Sequence, residues 1–115
     1  MKKSASALTL SLALLFSAIA GTVFGYAAED SWVSKAPMQQ ARNCRIAVVN
    51  ERIYAIGGDN LAINEEYNPA NNTWTFKTPM PTPRDDFGIG CFAEIYCIGG
   101  QIGNGVTVVN EVYDP

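Results

Sequence analysis

The chain has 115 residues, with 8 Lys and Arg against 11 Asp and Glu, a net charge of −3 and no histidine. That length holds one domain at most, and the acidic balance argues against nucleic acid as a partner. Without histidine there is no Ser-His-Asp or Cys-His triad, no His-ligated zinc and few general-base schemes, so no cofactor and no catalytic residue are expected.

The N-terminus reads as a leader. Lys2 and Lys3 precede an uncharged apolar run from Leu8 to Ala28. A basic start, an apolar middle and a small-residue exit at Gly25 and Ala27 describe a signal peptide over residues 1–27, cleaved after Ala27 or, as the near alternative, Ala28. The competing reading is an uncleaved membrane anchor, since about 20 apolar residues also span a bilayer. The small-residue exit favours cleavage, which places the mature chain outside the cytoplasm, secreted or in the cell envelope.

From residue 28 the pattern is short strands with turn signals between them. Residues 28–38 carry Trp32 and are expected as an isolated terminal strand. Ile46–Val49 and Arg52–Ile56 form a hairpin turned by Asn50-Glu51, and Gly57-Gly58 ends it, a pair that permits positive φ or close backbone approach. Ile63–Tyr67 is a third strand stopped by Asn68-Pro69. Asn71-Asn72 turns the chain into a fourth, Thr73–Phe76. Pro79, Pro81 and Pro83 make a rigid connector in which no helix persists. Phe87–Phe92, Ile95–Ile98 and Val106–Tyr113 then repeat the plan. Gly88 and Gly90, in mid-strand, suggest crowding by a neighbouring backbone.

The repetition is explicit. Arg42, Ile53-Tyr54 and Gly57-Gly58 return 42 positions on as Arg84, Ile95-Tyr96 and Gly99-Gly100, and Trp32–Met38 matches Trp74–Met80 at the same offset. Asn64-Glu65-x-Tyr67-x-Pro69 returns as Asn110-Glu111-x-Tyr113-x-Pro115, now 46 apart, so four extra residues lie between Gly100 and Asn110. A fixed period in the forties with loop-sized slippage is a repeat architecture. It gives a complete unit over residues 39–80 and an incomplete one over 81–115.

Three cysteines make an odd count. Cys91 and Cys97 flank a short hairpin; with a two-residue loop they point to opposite faces and stay unpaired. Free buried thiols are expected. The acid pairs Glu65-Glu66 and Asp85-Asp86 are neighbours along the chain, so neither can flank one glycosidic bond, and both read as solvated edges.

Four short strands per unit, a Gly-Gly pair closing the second, a Tyr in the third (Tyr67, Tyr113) and a Trp in the fourth (Trp74) resemble the kelch repeat, one blade of a β-propeller. The resemblance covers about residues 30–115. It implies an all-β fold of four-stranded antiparallel blades, here an incomplete propeller that needs further blades or other copies to close. Gly-His and Trp-Asp marks of the other propeller repeat of this length are absent. The resemblance also implies that Arg42 and Arg84 lie near the mouth of a central channel. There they could ring an anionic ligand, or they could belong to each blade's own packing. Asn71-Asn72-Thr73 is a glycosylation acceptor pattern on an exposed turn. The function implied is an exported, non-catalytic scaffold for a protein or carbohydrate ligand. The alternative is a fragment of an extracellular kelch-propeller enzyme acting on sugars, of the sialic-acid mutarotase type. The histidine-dependent copper site of the galactose oxidase kind cannot be built from this stretch.

Overall fold

A computed structural model of the chain describes residues 29–115; the segment expected as a signal peptide and its expected cleavage site lie outside the described residues. The chain divides into two compact units, Met1–Ser34 and Lys35–Pro115. Of the first, Glu29-Asp30 forms a turn and residues 31–34 are irregular. The strand expected around Trp32 is therefore not there. A strand is held by a neighbour's hydrogen bonds, and no described strand pairs with residues 31–38.

The second unit is all β among the described residues, in three antiparallel sheets. Strands β1 (Arg45–Val49), β2 (Arg52–Ile56), β3 (Asn64–Asn68) and β4 (Thr73–Lys77) form a four-stranded meander in chain order. Strands β5 (Gly88–Phe92), β6 (Glu94–Ile98) and β9 (Asn110–Tyr113) form a three-stranded sheet. Between them in sequence, β7 (Gln101–Ile102) and β8 (Gly105–Val106) pair as a small separate hairpin. This corrects the single strand expected over Val106–Tyr113. The four extra residues are absorbed in a hairpin turned at Gly103-Asn104, and the third strand proper starts only at Asn110.

The register of each hairpin decides which side chains share a face. In β1–β2, Ala47 faces Tyr54 and Val49 faces Arg52, so Ala47, Val49, Tyr54 and Ile56 lie on one side. Asn50 and Glu51 make the turn with φ of 50° and 59°, the two positive values that a two-residue hairpin turn requires. The β5–β6 hairpin is different. Phe92 pairs with Glu94 and the turn is Ala93 alone, at φ 58°. Ile89, Cys91, Ile95 and Cys97 consequently share a face. The expectation that Cys91 and Cys97 point oppositely is corrected, because it assumed a two-residue loop. They are nonetheless free thiols, since Cys91 faces Ile95 and meets Cys97 only on the diagonal, typically about 7–8 Å away and beyond disulfide reach.

The core lies between the two larger sheets. Ala47, Val49, Tyr54 and Ile56 of the first meet Ile89, Ile95, Cys97 and Tyr113 of the second, with Met80 and Phe87 from the connector filling between them. Tyr54 and Tyr113 meet edge to face, centroids 5.8 Å apart. The opposite face of the second sheet is open, with Phe92, Ile98 and Val112 exposed. Gly90 lies on that open side with nothing near its would-be Cβ, and Gly88 has only ordinary contacts. The crowding expected at these glycines is absent, because the register turns them away from the packed face.

Candidate functional site

The two arginines singled out by the repeat are interior groups. Arg42 is 9% exposed and Arg84 fully buried. Arg42 donates from Nε to the Gly57 carbonyl (3.0 Å), from Nη2 to the Ala55 carbonyl (2.7 Å) and from Nη1 to the Gln40 carbonyl (3.0 Å). Arg84 donates from Nη1 to the Gly99 and Val109 carbonyls (2.8 and 3.1 Å) and from Nη2 to the Cys97 carbonyl (3.1 Å). Gly57 and Gly99 are repeat equivalents, and so are Ala55 and Cys97. Each arginine buckles the end of its own second strand, and of the two readings open in the sequence the geometry favours packing over an anion ring.

The sequence reading missed the buckle's acidic half. Glu65 is fully buried and pairs with Arg42 at 2.5 Å, while its other oxygen accepts the Gln39 N–H at 2.8 Å. Its repeat equivalent Glu111 stands 3.8 Å from Arg84 and accepts the Thr82 N–H at 3.3 Å. The reading of Glu65 as a solvated edge is corrected: a carboxylate can be buried when paired and hydrogen-bonded. The signal was legible, since the Arg and the Glu-x-Tyr both recur. Glu66, on the other face, accepts from the Tyr54 hydroxyl at 2.8 Å and lies 3.6 Å from Lys77. Burial and this carboxylate together push the Tyr54 phenol well above its ordinary value.

The glycine pairs close the same ends. A Cβ on Gly58 would stand within bonding distance of the Asn43 carbonyl oxygen, and one on Gly100 2.4 Å from the equivalent Asp85 oxygen; both glycines have positive φ. The aromatic marks hold the opposite edge of the first sheet. Tyr67 packs on Trp74 with centroids 5.0 Å apart. The Trp74 indole donates to the Ala36 carbonyl at 2.8 Å. Asn72 Oδ1 accepts both the Tyr67 hydroxyl and the Ala36 N–H, each at 2.8 Å. Asn71, the acceptor of the glycosylation pattern, is exposed on this turn and receives the Thr73 hydroxyl at 2.6 Å.

What the buckles leave open is a polar cleft of about 300 Å³ where the connectors reach the sheet ends. One wall is Asn43 to Arg45 and the other is Asp85 to Phe87, with Asp59 and Gln101 at the rim. Its walls are tied across the sheets. The Gly58 N–H donates to the Arg84 carbonyl at 3.0 Å, and the Asn60 N–H to Asp85 Oδ2 at 3.0 Å. Arg45 pairs with Asp86 at 3.0 Å, both largely exposed. The extra hairpin leans in: Gln101 exchanges both backbone hydrogen bonds with Asp85, and the Gly103 N–H donates to Asn60 Oδ1 at 3.2 Å. Three aspartates against one arginine give the cleft a negative balance. No group of three or more His, Cys, Asp or Glu among the described residues could hold a metal ion.

The described repeat is a four-stranded antiparallel meander with its buckle, its Gly-Gly exit and its Tyr–Trp edge, and residues 41–81 match the family model of the Kelch motif. The chain belongs to the kelch-repeat family. It is similar to human Kelch-like protein 28, 37% identical over an alignment of 105 residues that covers 77% of this chain and 18% of that protein. It is 36% identical over 77 residues to mouse Kelch domain-containing protein 7A, covering 62% of this chain and 10% of the relative. A human influenza virus NS1A-binding protein is 36% identical over 84 residues, 66% of this chain and 13% of the relative. The chain thus spans between a tenth and a fifth of the length of these curated relatives. The kelch repeats here are blades of an incomplete propeller, and the family is one of protein-binding scaffolds.

Proposed function

We propose that this kelch segment is an exported binding scaffold that uses the polar cleft at its connector end to hold a basic, exposed segment of a partner protein. The observation that carries the reading is the cleft's construction. Polar groups from two connectors, a strand exit and an inserted hairpin converge on one opening, and hydrogen bonds between the sheets fix them in place. Loops held on a rigid scaffold are where binding residues concentrate, and an acidic opening draws basic partners by complementarity of potential. The relative named for binding the influenza NS1A protein supports a protein partner. The basic start and small-residue exit of residues 1–27 support export. A carbohydrate ligand and the sugar-enzyme alternative have no specific observation in their favour.

The test is a photo-crosslinking residue at Asp59 in the full chain expressed in its own host, with fractionation of the cell. A cross-linked protein in the extracytoplasmic fraction, lost in Asp86→Lys and weakened by high salt in wild type, is the expected result. Crosslinks insensitive to Asp86→Lys, or material confined to the cytoplasm, would overturn the binding and export parts respectively.

A further inference from the structure

The two larger sheets occupy equivalent places in the repeat: Gly88 faces Ile98 as Arg45 faces Ile56, and Phe92 closes β5 as Val49 closes β1. Phe92 and Ile98 therefore stand where Val49 and Ile56 do, and Ile89 and Ile95 where Ile46 and Ile53 do. Inside the chain these two kinds of face already bind each other. Val49 and Ile56, 6% and 2% exposed, share one core with Ile95 and Ile89. Their outward counterparts lack that cover: Phe92 is 84% exposed, Ile98 50% and Ile46 51%. We propose that the open face of the second sheet is a docking surface for a second copy of this chain, which seats the outer face of its first sheet there. The contact joins unlike patches and each copy carries one of each, so it runs head to tail. The acidic cleft shares none of these residues.

A second copy also brings the strand that this sheet lacks. β9 is an edge, whereas its equivalent β3 is paired by β4, and an unpaired edge is a template for another strand. Residues 32–38 repeat residues 74–80 in sequence. Trp32 is fully exposed, Val33 is 46% exposed, and no described strand pairs with them. Residues 36 and 39 are tied by hydrogen bonds to Trp74 and Glu65, which the register places on the docking face with Ile53 and Ala55. The docked copy thereby carries its residues 31–35 to the edge it fills. In β3–β4, Tyr67 faces Trp74 and Glu66 faces Thr75. The same register sets Trp32 of the incoming copy opposite Tyr113, and Val33 opposite Val112, itself 54% exposed.

Sedimentation velocity of the full chain should show assembly that grows with concentration. Phe92→Lys and Ile46→Lys, both at exposed positions, should each remain monomeric. Mixed in equal amounts they should form a dimer and nothing larger, because one retains the outer face and the other the open face. For the strand, Val33→Cys and Val112→Cys are prepared separately, mixed and mildly oxidised. A linkage between positions 33 and 112 is expected by mass spectrometry, since directly opposed strand residues stand about 4.5–5.5 Å apart. A wild-type chain that is monomeric at every concentration would overturn the proposal and leave the open face to a different partner. Assembly that survives either lysine substitution would overturn it too, by showing a contact between like faces. Assembly without the 33–112 linkage would overturn the donated strand. Should either lysine variant fail to fold, the wild-type concentration dependence and the linkage still decide.

Discussion

The two hairpins that open the repeats share their sequence spacing but not their pairing. Repeating the first register, Arg45 opposite Ile56, at the offset of 42 would set Phe87 opposite Ile98; instead Gly88 faces Ile98. The slip of one residue removes the second turn position, leaving Ala93 alone at the bend. It also flips the side chains of β5 relative to those of β6. Phe87 leaves the strand and drops into the core, while the two glycines turn outward. A repeat thus fixes where strands lie more firmly than how they pair. Pairing depends on the turn, and the turn is the part free to differ.

The buckles allow the sharpest break in the comparison. Glu65 and Arg42 have wholly buried side chains, whereas the Glu111 side chain keeps 17% exposure and a longer approach to Arg84. Removing one partner of a buried pair strands the other charge, at about 3–5 kcal/mol. Glu65→Ala should approach that loss in urea unfolding, and Glu111→Ala should fall well short of it; equal losses would dissolve the distinction between the two sites.

Next in size are the glycines. Gly58→Ala meets the Asn43 carbonyl at a φ of +89° and should cost more than the strain of positive φ alone, about 1–2 kcal/mol. Gly90→Ala meets nothing and should be neutral or stabilising by up to about 1 kcal/mol, because alanine narrows the unfolded ensemble. Destabilisation at Gly90 would return β5 to the unslipped register.

The bend itself gives a smaller effect. Ala93 holds a positive φ that costs an L-residue about 1–2 kcal/mol, so Ala93→Gly should raise the urea midpoint by roughly 1 kcal/mol of stability. No gain would mean that the bend carries no such strain.

The least energetic test is chemical. Burial pushes the Cys97 thiol above its ordinary value, against the opposing pull of Arg84, while Cys91 is exposed on the same sheet. Iodoacetamide at pH 8 should label Cys91 first, by mass spectrometry, and reach Cys97 only on denaturation. Equal labelling of both in native protein would contradict the burial of Cys97.

Much of this was legible in the residues. β2 was bounded correctly, β1, β4 and β5 to within a residue, and the family followed from marks repeating at one offset. Those marks are local: β-branched runs, Asn-Pro, Gly-Gly. The burial of Glu65 was not legible from its neighbours, because its partner lies 23 residues away and acidic side chains in sequence look solvated. The register of β5 was missed for a related reason. Phe92-Ala93 occupies the place of Asn50-Glu51 but lacks the turn chemistry that would pin a two-residue loop. The acidic cleft escaped altogether, since it is assembled from four separate segments.

The buckles also set what each blade can vary. Both arginines take hold of main-chain oxygens, which every amino acid supplies alike. Ala55 and Cys97 occupy equivalent places and offer the same carbonyl to the same guanidinium nitrogen, though one side chain is a methyl and the other a thiol. The clasp is indifferent to the identity of what it fastens. A blade can therefore exchange the side chains along its second strand to suit whatever lies against it without loosening its own closure.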